Sequence, residues 1–172
     1  MIYVSGDESD SGATHAMPNL KHIDLLSESQ VKFGYYFAVI HHWLSGPSFD
    51  TIQKTFDISD AECAVVFTAA LAPGLTATDI CEITGRQKNT ISRAVKSALK
   101  RKLIVRSPEL KDRRRGLLEL TQGGAELHKK MLQIFYKRET EMLSILSKHE
   151  LRTLDALLRK LLVKTVGWAT VY

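Results

Sequence analysis

The chain has 172 residues, 44% of them hydrophobic and 25% charged, with a formal net charge of +5. That is the composition of an ordinary globule with enough chain to bury a core. No apolar run approaches the roughly 20 residues of a membrane helix, and the first twenty residues carry Asp7, Glu8 and Asp10 with no apolar stretch of a secretory signal. The two cysteines, Cys63 and Cys81, are too few for a disulfide framework, so a reducing cytoplasm is the expected location.

Residues 1–22 are polar and aperiodic and read as a mobile tail. Ser27-Glu28-Ser29-Gln30 has the form of a capping box. Phe33, Tyr36, Phe37, Ile40 and Leu44 follow at helical spacing, and Gly46-Pro47 is expected to end that helix. A further helical piece is predicted over 49–56. Ser59-Asp60-Ala61-Glu62 opens a helix through Val65, Val66, Ala69 and Leu71 that Pro73-Gly74 stops. Thr76-Ala77-Thr78-Asp79 caps a short helix ending at Gly85, and a second helix is predicted over 88–101. Two short helices joined by a tight glycine turn form a helix-turn-helix. The inward face of the second helix would be Ile91, Ala94, Val95 and Ala98, and its outward face Lys88, Asn89, Ser92, Arg93, Lys96 and Lys100.

Two short apolar, β-prone runs at 103–106 and 117–120 flank the basic connection 107–116, which predicts a hairpin with an exposed tip, or wing. A long helix is expected over 121–146. Ser147-Lys148-His149-Glu150 caps a last helix with Leu151, Leu154, Leu158 and Leu161 on one stripe, which Leu157, Leu162 and Val166 widen. The fold class is therefore mainly α with a small β-hairpin wing. Its parts are a tail (1–22), an N-terminal dimerisation helix (23–47), a winged helix-turn-helix lobe (48–121) and C-terminal dimerisation helices (122–172).

Charge is unevenly placed. Residues 86–115 hold twelve basic and two acidic side chains, a local charge of +10, while the other 142 residues, with 12 basic and 17 acidic, sum to −5. A basic block in an acidic chain is the footprint of a polyanion-binding surface. The recognition helix of a helix-turn-helix enters the major groove, where Asn89 suits adenine, Thr90 a methyl or hydroxyl edge, and Arg93 guanine. Lys88 and Ser92 join them at the leading end, while Lys96 and Lys100 suit phosphates. The wing residues Arg113, Arg114 and Arg115 can reach the neighbouring minor groove, with Asp112 bracing the Arg114 guanidinium.

Asn89-Thr90-Ile91-Ser92-Arg93, Leu103-Ile104-Val105-Arg106, Asp112-Arg113-Arg114 and Leu120-Thr121-Gln122-Gly123-Gly124 together resemble the MarR (multiple antibiotic resistance regulator) family. The family's wing carries Asp-x-Arg with Leu-Thr eight residues after the Asp, a register that Asp112, Arg114, Leu120 and Thr121 keep. The resemblance spans about 27–166. It implies a winged helix, a homodimer built from the first and last helices, inverted-repeat operators, Arg114 as minor-groove reader and Asp112 as its brace. The chain departs from the pattern twice. Lys102 stands where the family has glycine, and Ala98 where it has leucine. A left-handed Lys102 would cost about 1 kcal/mol.

These features predict a homodimeric, sequence-specific regulator of double-stranded DNA, a repressor by preference, with no membrane partner. Family members often sense small aromatic acids, and Tyr36, His41, Trp43 and Phe67 could form such a pocket. Oxidant sensing through Cys63 or Cys81 is an alternative, since the dipole at a helix N-terminus lowers thiol pKa. A winged-helix protein–protein module is another. RNA binding is disfavoured because no aromatic residue for base stacking occurs in 86–115. No catalytic motif, metal-ligand spacing or cofactor fingerprint is present.

Overall fold

The computed structural model describes residues 20–108 and 116–165, with side chains from Ile23 onward. The chain divides into two compact units, one ending at Ile40 and the other beginning at His41. The elements are α1 (Leu20–Ser27), α2 (Lys32–Phe56), α3 (Asp60–Leu71), α4 (Ala77–Thr84), α5 (Lys88–Lys100), β1 (Ile104–Pro108), β2 (Gly116–Leu120), α6 (Gln122–Leu143) and α7 (Lys148–Thr165). The predicted tail therefore gives way to helix at Leu20, and what precedes it lies outside the described residues.

In the first unit, Ser27 closes a helix instead of opening one. Its hydroxyl donates to the Asp24 carbonyl at 2.7 Å, meeting one of the carbonyls a helix end leaves free. The Ser29 amide bonds the Leu26 carbonyl at 3.2 Å, so the expected capping box lies in the turn between α1 and α2. Phe33 and Tyr36 meet edge to face at 6.1 Å.

Pro47 does not end its helix, because α2 runs through it to Phe56. A proline in a helix removes the amide that would serve the carbonyl four residues back, here that of Trp43. Arg138 of α6 supplies a donor, its Nη2 lying 2.9 Å from the Trp43 oxygen. The next turn is reinforced by hydroxyls, with Ser48 donating to Leu44 O (3.0 Å) and Thr51 to Pro47 O (2.8 Å). The helix thus continues beyond the expected boundary at residue 47.

The starts of α3, α4, α6 and α7 follow their caps. Ser59 and Glu62 form a reciprocal box on α3, and Thr76 and Asp79 one on α4. At α7 the Ser147 amide donates to Glu150 at 2.8 Å and the Glu150 amide to the Ser147 hydroxyl at 3.3 Å. Thr121 caps α6 by accepting from the Gly124 amide at 3.0 Å, while its own amide donates to Leu103 O at 3.0 Å. Gly124 is required there, since a Cβ would overlap the Leu103 carbonyl.

Two apolar clusters hold the second unit. Val65, Ala69, Ile80, Ile91, Ala94, Val95, Ala98, Ile104 and Leu118 join α3, α4, α5 and the hairpin. Ile52, Ile58, Cys63, Val66 and Met131 join the end of α2 to α3 and α6. Each fully buried isoleucine contributes about 1.5–3 kcal/mol. The antiparallel hairpin pairs Ile104 with Leu120 and Pro108 with Gly116, and Leu75 adds a bridge to Leu118. No residue of α7 is buried, and Leu157, Leu161, Leu162 and Val163 are all exposed. No described helix is long and apolar enough to cross a membrane.

Candidate nucleic-acid interface

Three local devices position α5. Gly85 takes the left-handed conformation (φ 66°) that ends α4 and turns the chain, which a residue lacking Cβ adopts freely. Arg86, next in the turn, pairs with Asp60 at 2.8 Å, tying the turn to the start of α3. At the far end Lys102 is left-handed (φ 55°), the conformation expected where the family has glycine. Its amide bonds Leu99 O at 3.0 Å and the Leu103 amide bonds Ala98 O at 2.9 Å, a Schellman closure made without glycine.

Between these ends α5 is sharply two-faced. Ile91, Ala94, Val95 and Ala98 are buried, and Lys88, Asn89, Thr90, Ser92, Arg93, Lys96 and Lys100 are exposed. The seven residues on α5 expected to contact DNA therefore share one outer surface. The hairpin supplies the base of the wing, with Arg106 exposed on β1. Asp112, Arg113, Arg114 and Arg115 lie outside the described residues.

Among the described bases of this block, Arg86 and Arg101 are engaged internally. Besides Arg86, Arg101 donates through Nη2 to Phe56 O at 2.9 Å and through Nη1 to Asp57 O, with the Asp57 carboxylate 3.4 Å away. It clasps the end of α5 to the end of α2, where Asp57 is itself left-handed (φ 55°).

Glu62 carries a third tie. It is 6% exposed. One carboxylate oxygen accepts from the Ser59 amide (3.0 Å) and hydroxyl (2.7 Å), and the other from the Ser97 hydroxyl of α5 (2.6 Å). Burial pushes the Glu62 carboxyl up, but the Ser97 and Ser59 hydroxyls, the Ser59 amide and the charge of Arg101 outweigh it and hold the pKa below the usual carboxylate value. An open cleft of about 310 Å³ lies here, lined by Ser59, Glu62, Thr90, Arg93 and Ser97 among others. The sequence identifies Glu62 only as a capping residue. No local pattern links it to Ser97, 35 positions on.

Tyr36 belongs to the unit that ends at Ile40, whereas His41, Trp43 and Phe67 belong to the other. The His41 ring nitrogen lies 3.3 Å from the hydroxyl of Ser45 on its own helix. Trp43 meets His42 edge-on at 5.7 Å, and Phe67 meets His128 and Phe135 of α6 at 4.8 and 5.4 Å. Burial lowers the His128 pKa. Cys63 does not match the activated thiol proposed for it. It is buried in the second cluster, and desolvation, with Asp60 adding and Arg86 opposing, pushes its thiol up to about 12. Among the described residues no group of His, Cys, Asp and Glu could hold a metal ion.

Residues 56–115 match the sequence profile of the MarR family. The HTH-type transcriptional regulator YwaE of Bacillus subtilis (strain 168) is 26% identical over 109 residues, which are 63% of this chain and 64% of that protein, so the match spans slightly less than two-thirds of the relative. The S. aureus MepR–DNA complex is similar in structure, with a TM-score of 0.64 and 28% identity over 77% of this chain and 97% of that one. Wild-type MarR from E. coli, at 22% identity and a TM-score of 0.56 over 73% and 96%, shares the fold. The helix-turn-helix, the hairpin and these likenesses agree: residues 56–115 match the MarR family, and the chain's fold is similar to those of the transcription regulators MepR and MarR.

Proposed function

We propose that this protein is a sequence-specific, double-stranded-DNA-binding repressor that acts in the cytoplasm as a homodimer on an inverted-repeat operator and is released by a small aromatic ligand. The observation that carries the DNA-binding part is the division of α5. Lys88, Asn89, Thr90, Ser92, Arg93 and Lys96 stand exposed opposite a fully buried apolar face. A helix with one face locked into a core and donors on the other is what the major groove accepts. The start of α5 has no side-chain cap, which leaves its first amides free for a phosphate. The similar MepR has been crystallised with DNA.

Arg113, Arg114 and Arg115 reach the minor groove in this reading, with Asp112 orienting Arg114. The uncovered leucines of α7 pair with those of a second chain, which sets two recognition helices about 34 Å apart, one turn of DNA. Tyr36, His41, Trp43 and Phe67 remain the residues proposed to meet the ligand, and a thermal-shift screen of phenolic acids tests that part by mass action.

Gel-shift titration against genomic fragments at two salt concentrations tests the whole. A subset of fragments is expected to bind far more tightly than the rest, and Arg114→Ala to weaken that binding by about 1–3 kcal/mol. Equal affinity for every fragment would refute sequence-specific regulation.

A further inference from the structure

We infer that Glu62 is a positioning residue for sequence readout. Through Ser97 it fixes the rotation of α5 about its own axis, and thereby where Thr90 and Arg93 meet the bases. The inference rests on the DNA-binding reading above and deepens it.

Thr90, Arg93 and Ser97 follow one another at spacings of three and four. On an α-helix Thr90 lies within about 20° of Ser97 and Arg93 within about 40°, and all three line the cleft beside Glu62. The stripe that carries two base-reading side chains is thus the stripe that Glu62 holds. The apolar face of α5 is poorly shaped to set this angle alone. Two of its four buried residues, Ala94 and Ala98, are alanines, which offer no knob to lock into a groove. Ala98 stands where the family's leucine would supply one.

A hydrogen bond to a buried carboxylate is directional where methyl contacts are not. Ser97 donates at 2.6 Å to a carboxylate whose other oxygen is fixed by the Ser59 amide and hydroxyl, so its anchor cannot swing. At the helix surface, about 5–6 Å from the axis, a 20° roll displaces a side chain by about 2 Å. That exceeds the window within which a bidentate base contact survives. Arg101 and Arg86 fix the two ends of α5 along its length, and Glu62 fixes its roll.

The full-length chain is tested with a duplex that the wild type selects from a random-sequence pool, and with a mixed-sequence duplex as non-specific competitor. The measured quantity is the ratio of the two affinities. Loss of folded protein lowers both affinities alike and leaves the ratio unmoved, whereas a rolled α5 keeps its phosphate contacts and loses its base contacts. Ser97→Ala is expected to lower the ratio about tenfold with the non-specific affinity unchanged. Ser97→Thr and Ser97→Val match in shape and differ in the hydroxyl, so Thr should retain the ratio and Val lose it. A ratio equal in the Thr and Val variants would overturn the inference while leaving the DNA-binding reading intact. A wild type that selects no sequence would overturn both.

Discussion

Lys102 shows how one side chain can stand in a place suited to glycine. It closes α5 with φ 55°, a conformation in which Cβ crowds the backbone. Lys102→Gly is expected to raise stability by about 1 kcal/mol, read as a shift in the urea midpoint at constant slope. Glu62 and His128 both contribute to the response to acid. The Glu62 pKa is lowered in the folded chain, so its contribution is present above the ordinary carboxylate range and is lost as pH falls through the folded value. Burial also lowers His128, so below about pH 6.5 the unfolded chain takes up a proton that the folded chain refuses. Urea midpoints should therefore fall on acidification, first below pH 6.5 and again below about 4.5. Glu62→Gln should flatten the second step and leave the first.

At the scale of elements, α2 depends on a residue far along the chain. Pro47 deprives the Trp43 carbonyl of its usual amide and Arg138 supplies a replacement donor from α6. Arg138→Met should destabilise the protein by about 1–3 kcal/mol. In a Pro47→Ala background, where the amide is restored, the same change should cost at least about 1 kcal/mol less, and equal costs in a double-mutant cycle would break the link. The pair also shows what sequence can reveal. The boxes at Ser59, Thr76 and Ser147 were legible because their partners lie three residues away, as was the burial of Ile91, Ala94, Val95 and Ala98 because helical period reports it. Helix continuation through Pro47 was not legible, since the donor that serves the freed Trp43 carbonyl lies 95 positions beyond Trp43. The same distance effect hid the bond between Glu62 and Ser97 and the clasp of Arg101 on Phe56 and Asp57. Cys63 misled in a related way. A first-turn position lowers a thiol pKa, but burial between α2, α3 and α6 opposes that effect and wins.

For the whole molecule the exposed stripe of α7 bears on the proposed dimer. Leu157 is 52% and Leu161 48% exposed, an arrangement that a second chain would cover. Sedimentation should give twice the chain mass, and Leu157→Arg with Leu161→Arg should give monomers that bind an inverted repeat no better than a half-site. A sedimenting monomer in the wild type would remove the twofold reading. The internal clasps of Arg86 and Arg101 bear on how such a complex responds to salt. Each phosphate that a protein neutralises releases condensed counterions, and the slope of log affinity against log salt counts them. Because these two guanidinium groups are already occupied within the fold, they release none. Replacing either should leave that slope where it was and lower the unfolding midpoint instead, so Arg86 and Arg101 do not count among the cations that DNA can claim.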